Sequence, residues 1–589
     1  MNLRLPRLFC RKPPAQALFP LLLLLLAAAA VPVAAQGPPP PPPPPPPGPL
    51  QPPPVPAGNP LTPEKALLGK SLFWDEQLSS TRTVACGTCH IPAAGASDPR
   101  TAVSPLALHP GADGQFETAD DVLGSPGVPQ SLADGTYVDH PDFGILPQAT
   151  GRRGRPASEA GYAPNLFWDG RARGELVDPE TLQVVLAAGA ALESQALAPV
   201  LNSTEMAHGG REWSEVIARL ESAAPLALAE DLPPELNEGL GGRSYPQLFA
   251  AAFGTAEISA TRIAMAIASY ERTLVSNQTP LDIALAGGAP LTPLEQQGRA
   301  IFANRNCAVC HGGALLSNDA FFYTGVRPAQ EDLGRFAETG NNGDRGAMRT
   351  PTLRNVALRA PYMHNGEIAT LSGVIDFYDR GGDFTAPNKN PLIVPLNLSP
   401  QEKAALLAFL TRPLTDPRVA AETAPFDRPR LYSESDRVPR VEGAGVAGGG
   451  GIEPQIVALE PPFAGSPGCT VGVWGALGGA TAVLAIDDAD PGLTPPPTAA
   501  LAREELTLSG SGATGGWGSV SLPLPADIAL YGSNWYGRWY VTDPAAAGGF
   551  AVSPLLRFAV FPARRAPGTG LFTDGFESAT TAAWTATAP

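Results

Sequence analysis

The chain has 589 residues, 44% hydrophobic and 16% charged, enough for several buried cores. Its formal net charge of −16 argues against nucleic acid as a partner, because phosphate binding needs clustered Lys and Arg. The 68 prolines and 63 glycines exceed ordinary usage and signal long linkers and turns.

The N-terminus reads as a secretory signal. Arg4, Arg7, Arg11 and Lys12 precede an apolar run from Leu18 to Val31, and Val33-Ala34-Ala35 offers small residues for cleavage. Residues 1–35 are predicted to be removed, leaving an exported, periplasm-type chain. A retained anchor would need about 20 apolar residues, and Pro20 and Pro32 bracket a shorter run. No later segment is apolar enough to span a bilayer, so no membrane span is predicted in the mature chain. Residues 36–60 are proline-rich and predicted to be an extended polyproline II linker.

Two segments then echo each other. Leu61-Thr62-Pro63, Gly69-Lys70-Ser71-Leu72-Phe73 and Cys86-Gly-Thr-Cys89-His90 are matched by Leu291-Thr292-Pro293, Gly298-Arg299-Ala300-Ile301-Phe302 and Cys307-Ala-Val-Cys310-His311. Thr before Pro is a helix N-cap followed by a proline at the first helical position, so each unit opens with a helix. This pattern predicts a duplicated domain, with units at residues 61–285 and 286–425. Further helices are predicted over Thr261–Ser276, over Thr370–Asp379 before Gly381-Gly382, and from Ser399-Pro400 to about Leu410. Residues 91–160 are turn-rich and read as an insertion-like loop region.

Composition shifts again near residue 440. Residues 426–454, including Gly448–Gly451, are predicted to be a linker. Residues 455–565 carry short β-type runs such as Thr481–Ile486, Trp535–Val541 and Leu556–Phe561, which suggests a small β-sandwich. Residues 566–589 form a tail.

The cysteines carry the chemistry. Cys10 leaves with the signal, and Cys469, standing alone, is expected to be a buried small hydrophobe. Cys86, Cys89 and His90, and again Cys307, Cys310 and His311, form Cys-x-x-Cys-His, the attachment signature of c-type haem. The thiols add to the two vinyl groups, and the adjacent imidazole becomes an iron ligand. A structural zinc site would need four ligands, and no second pair is close to either motif. A disulfide would leave the histidine unexplained in both copies. Two covalently bound c-type haems are therefore predicted.

Phe167-Trp168-Asp169-Gly170-Arg171-Ala172, Asn202-Ser-Thr-Glu205-Met206, Thr350-Pro-Thr-Leu-Arg-Asn-Val356 and Ala360-Pro-Tyr-Met-His-Asn-Gly366 resemble the signature blocks of the dihaem cytochrome c peroxidase/MauG family. The resemblance covers about residues 60–415. It implies a mainly α fold of two tandem cytochrome c-like haem domains, here followed by the β-sandwich domain. It also implies that His90 holds a peroxidatic haem and His311 an electron-transfer haem. Glu205 then matches the acid–base carboxylate for hydrogen peroxide, Pro199 the nearby proline of MauG-like relatives, and Trp168 the indole between the haems. Tyr378 stands where peroxidases of the family place a methionine ligand to the second iron and MauG a tyrosine; Met348 and Met363 are the alternatives. Leu371, Val374, Ile375 and Tyr378 share one helical face, so Tyr378 is expected to point inward.

Two departures matter. Leu106 stands where family peroxidases have a distal histidine, with His109 nearby as a substitute. Arg153 stands where the family's inter-haem calcium takes an asparagine, leaving only the carbonyls of Arg359 and Pro361. A separate acidic loop offers Asp113, Asp120 and Asp121 as candidate calcium ligands. His140, His208 and His364 are expected to be structural. The electron donor implied is a small redox protein, or an aromatic residue of a partner protein. The rivals are a dihaem electron carrier without enzymatic activity, and a surface- or polymer-binding protein with accessory haems.

Overall fold

The structure, a computed structural model, describes residues 50–564 apart from Thr494. The predicted signal segment, most of the proline-rich segment and the tail 566–589 lie outside the described residues.

The two units open as their caps dictate. The Thr62 side chain accepts from the Lys65 amide at the start of helix Pro63–Phe73. Thr292 and Glu295 form a reciprocal capping box at the start of helix Pro293–Asn304. Each opening helix crosses the closing helix of its unit, Ala260–Glu271 or Pro400–Leu410, at a glycine. A Cβ on Gly69 would sit 1.9 Å from the Ala266 carbonyl oxygen, and one on Gly298 would sit 1.9 Å from that of Ala405. The backbones therefore touch directly, and the aromatics one turn later complete the contact: Phe73 on Tyr270, with centroids 5.3 Å apart, and Phe302 on Phe409, 5.4 Å apart. A Gly298→Ala substitution is expected to force these helices apart and to cost about 1–3 kcal/mol. An unchanged melting temperature of the haem-loaded variant would refute this account of the crossing.

Helices Leu371–Asp379 and Pro400–Leu410 fall where expected. The helix expected over Thr261–Ser276 ends at Glu271. Beyond it the Thr273 amide turns back to the Tyr270 carbonyl, and Ser276 bonds to Glu159 and Asn355. These tertiary partners outbid a further helical turn. The expectation of a mainly α fold is corrected too: the helices are short, and long loops and two-stranded ladders separate them. Residues 91–160 hold two such ladders, Leu108–His109 with Val122–Leu123 and Pro126–Pro129 with Pro147–Ala149.

Both expected linkers are bound where the structure describes them. At the N-terminal side, Arg272 donates to the Pro54 carbonyl, the Tyr162 hydroxyl donates to that of Gln51, and buried Asn59 donates to Glu193. At the C-terminal side, residues 426–454 are not a free linker. Phe426, Leu431 and Tyr432 are buried, and the Glu76 carboxylate accepts from the Tyr432 and Ser433 amides. Arg440–Glu442 is a strand, and the Gly449 amide donates to Asp543. The β region thus begins at residue 440 rather than 455. Proline and glycine content misled here because backbone amides and carbonyls dock as well as side chains do.

This region has two antiparallel sheets. One orders Gln455–Ala458, Cys469–Ala476 and Gly516–Leu522. The other orders Ala502–Thr507, Thr481–Asp487, Asn534–Thr542, Leu555–Ala559 and Arg440–Glu442, with Phe550–Val552 beside Asn534–Thr542. Val471 and Val473 of the first sheet share a core with Leu484, Trp539, Val541 and Leu556 of the second. Cys469 is buried. Among the described residues no helix is long and apolar enough to cross a membrane.

Candidate active site

The one-turn helix Cys86–Cys89 brings both thiols and His90 to the wall of a cavity of about 610 Å³. Its counterpart Cys307–Cys310 brings Cys307, Cys310 and His311 to a second cavity of about 240 Å³. None of the four cysteines is paired in a disulfide. His90 Nδ1 lies 3.3 Å from the Ala96 carbonyl oxygen, and His311 Nδ1 lies 3.2 Å from that of Leu316. A carbonyl only accepts, so Nδ1 carries the ring proton and the Nε2 lone pair is left for a metal. Burial keeps both rings neutral, lowering His90 and pulling His311 down to about 4.

The first cavity also holds Glu205 and Pro199. The Asn202 side chain shapes the turn that presents Glu205, accepting from the amides of Thr204 at 2.9 Å and Glu205 at 3.1 Å. The Glu205 carboxylate makes no hydrogen bond to the protein among the described residues. Its pKa is raised by burial, against a smaller opposing pull from Arg171. In the second cavity stand Tyr378, Met348 and Met363 among apolar residues such as Leu371, Ile375 and Leu406. Burial pushes the Tyr378 phenol well above its ordinary value, and its hydroxyl has no protein partner among the described residues.

Trp168 walls both cavities, together with Arg327, Asp332 and His364. Its Nε1 donates to the Arg153 carbonyl at 2.8 Å, and the Arg155 guanidinium lies 4.6 Å from its ring. Arg152 locks the surroundings by a paired contact to Asp332 at 2.7 and 2.6 Å and another to Asp169 at 2.6 Å. His364, part of the Ala360–Gly366 block singled out in the sequence, therefore belongs to the wall between the cavities.

The donor set fits two covalently bound haems. Thiols suit the vinyl groups, and neutral imidazoles suit the irons. Nε of Arg155 beside the first cavity and Nε of Arg349 beside the second are buried without a partner. Buried cationic N–H groups need anions, and haem propionates are such anions. Among the described residues no group of three or more His, Cys, Asp or Glu is arranged to hold a metal ion.

The calcium expectations find no support. The Asp120 carboxylate accepts from the Ala112 and Asp113 amides, Asp121 from the Glu117 amide, and Thr118 reaches Asp120 at 2.8 Å. Asp113 likewise accepts from the Gln115 amide, so each carboxylate closes a turn of its own loop. Between the cavities, burial and then the charge of Arg359 bring Arg153 down to about 10. Two guanidinium groups there oppose a further cation. His109 lines the first cavity, but the Gly111 amide donates to its Nδ1 at 3.1 Å. The ring proton then sits on Nε2, which leaves no lone pair for iron. His208 pairs with Glu215 at 2.9 Å, and His140 packs on Phe143, both structural as expected. The sequence reading missed Arg155 and Arg349, and also Gln195 and Glu271 in the first cavity. The run Arg152-Arg153-Gly154-Arg155, with no acidic neighbour in sequence, was the available signal.

The family model for di-haem cytochrome c peroxidase matches residues 63–289, and that for cytochrome c matches residues 295–412. A methylamine utilization protein MauG from Methylorubrum extorquens is 31% identical over 62% of this chain and 81% of that protein. The chain belongs to the dihaem cytochrome c peroxidase/MauG family. As a member of it, the protein is a haem oxidoreductase with two covalently bound c-type haems. The cytochrome-c peroxidase IdrP1 of Denitromonas iodatirespirans is likewise 31% identical, over 64% of this chain and 91% of its own length. A solved structure of a MauG-like protein associated with microbial copper homeostasis aligns at 29% identity with a TM-score of 0.46, covering 64% of this chain and 96% of that one. The β region after residue 440 lies beyond both family matches.

Proposed function

We propose that this family member is an exported peroxidase that reduces hydrogen peroxide to water in the first cavity. It takes two electrons, one at a time, from a partner protein. The observation that carries this reading is the unpaired Glu205 carboxylate in the same cavity as Cys86, Cys89 and His90.

A haem held there supplies the iron at which the O–O bond is broken. Glu205 accepts the proton from one peroxide oxygen and returns it to the other, which departs as water. Pro199 presents an apolar wall with no donor, and His109 has no lone pair to offer, so the chain leaves the peroxide position open. Trp168, which touches both cavities, relays electrons between them. Tyr378 would hold the iron of a haem in the second cavity in preference to Met348 or Met363. Its hydroxyl has no competing protein bond, and a phenolate donates charge where a thioether would raise the potential. The donor is a small redox protein, or an aromatic side chain of a partner protein. Export follows from the basic and then apolar N-terminus. An electron carrier without enzymatic activity would need both irons closed by the chain, and His109, the candidate for closing the first, has its Nδ1 taken by the Gly111 amide.

The test is one equivalent of hydrogen peroxide added to the fully ferric protein, followed by optical and EPR spectra. Prompt loss of the ferric signals is expected. A protein that reacts only after one haem is reduced would refute the open site. In Tyr378→Met, the potential of the second haem is expected to rise and the prompt ferric reaction to weaken. An unchanged potential would remove Tyr378 from the coordination shell.

A further inference from the structure

The 126–149 segment is a hairpin whose two ends have different partners. At its base, Pro126–Pro129 pairs with Pro147–Ala149 and lies against the turn that presents Glu205. The Val128 amide donates to the Thr204 carbonyl at 3.1 Å, and Gln148 Nε2 donates to the Ser203 carbonyl at 2.9 Å. The approach is as close as backbone allows: a Cβ on Gly127 would lie 1.9 Å from the Thr204 oxygen and 2.9 Å from the Glu205 Cα.

At its tip, the hairpin leaves the haem unit and is held by the three-stranded sheet of the C-terminal region. The Tyr137 amide donates to Ser519 Oγ at 2.8 Å, and its hydroxyl donates to the buried Glu460 carboxylate at 3.3 Å. Thr470 Oγ1 donates to the Gly135 carbonyl at 2.9 Å. Tyr137 and Ile145 share a small core with Val457. Gly472 admits them, since a Cβ there would meet Ile145 Cδ1 at 2.7 Å. Tyr137 is only 2% exposed, and Ile145 1%. A hairpin of this length would otherwise be a mobile loop.

We propose that the C-terminal β region is a positioning element for the peroxide reaction: it clamps the hairpin tip, and the hairpin base in turn holds the Asn202–Met206 turn and the Glu205 carboxylate. Tyr137, Gln148, Thr470 and Ser519 are then positioning residues acting through Glu205. The proposal rests on the acid–base reading of Glu205 given above. It accounts for a domain that carries no cluster of catalytic residue types yet is packed against the haem unit.

The test uses the full-length, haem-loaded protein with Tyr137→Phe, Thr470→Val and Ser519→Ala combined. These changes remove the bonds across the contact and leave both cores intact. The bimolecular rate with hydrogen peroxide is expected to fall on the order of ten-fold, part of the ~10²–10⁴-fold that a positioned acid–base group supplies. Haem content and the KM for the electron donor should not change, and amide exchange over 126–149 should quicken. In a Glu205→Gln background the same triple change should have no further effect. An equal fall in both backgrounds would overturn the proposal, as would an unchanged rate despite faster exchange. If Glu205→Gln alone leaves the rate unchanged, the acid–base reading fails, independently of what the hairpin does. Should the triple variant not accumulate with haem, Gly472→Ala, which presses on Ile145, reads the same coupling under the same criteria.

Discussion

Glu205→Gln is expected to slow the reaction of the ferric protein with hydrogen peroxide by roughly 10²–10⁴-fold, the usual contribution of a positioned proton carrier. The substitution keeps the size of the side chain and its place in the Asn202 turn. It removes only the ability to take up a proton. Both haems should remain attached, since Cys86, Cys89 and His90 do not depend on the carboxylate for their geometry. The pH dependence gives a second reading. Burial raises the pKa of Glu205, with Arg171 opposing. The ionised form is the proton acceptor, so the wild-type rate should fall as pH falls through this raised value, and the limb should lie above the ordinary carboxylate range. In Glu205→Gln that limb should vanish. Stopped-flow rates across pH on both proteins decide the matter. A retained limb in the variant would assign it to another group, such as Glu271, whose buried carboxyl is raised to about 8.

The largest loss of stability is expected from Glu193→Ala. Glu193 and Arg272 form a paired contact at 2.8 and 2.9 Å, with side chains 0% and 2% exposed. Asn59 donates to the same carboxylate, Lys65 donates to Asn59, and Arg272 also holds the Pro54 carbonyl. Removing the carboxylate leaves a buried guanidinium uncompensated, which typically costs about 3–5 kcal/mol. It also frees the segment before the first helix. Replacing the pair together by apolar residues of similar volume should cost far less, because no charge is then stranded. Chemical denaturation of the haem-loaded single and double variants separates the two effects. A single variant within about 1 kcal/mol of the parent, as for an exposed pair, would show that water reaches Arg272.

Local signals served the reading well wherever one covalent or capping pattern was sufficient. Cys-x-x-Cys-His specifies its chemistry through residues adjacent in the chain, so the haem anchors needed no fold to be recognised. Thr62-Pro63, Thr292-Pro293 and Ser399-Pro400 open their helices because caps act within one turn. The repeated glycine before each Leu-Phe or Ile-Phe pair marked the duplication. Its meaning, a backbone contact with Ala266 or Ala405, emerged only when the partner helix was in view.

The long-range features escaped because their partners lie hundreds of residues apart. Nothing near Gly127 or Gln148 in sequence announces the Glu205 turn, and nothing near Tyr137 announces Glu460 or Ser519. The acidic loop at Asp113, Asp120 and Asp121 suggested a cation by composition. Folded, each carboxylate closes a turn of its own loop. The Gly-rich stretch after residue 440 suggested a free linker, yet its amides are taken up by Asp543 and the neighbouring strands. Adjacent residues thus set the cofactor, the duplicated helices and the family. The packing of distant segments set the cavity beside Glu205, the place of Trp168 between two cavities and the docking of the β region. Burial, desolvation and hydrogen-bond satisfaction depend on neighbours that come together only in three dimensions.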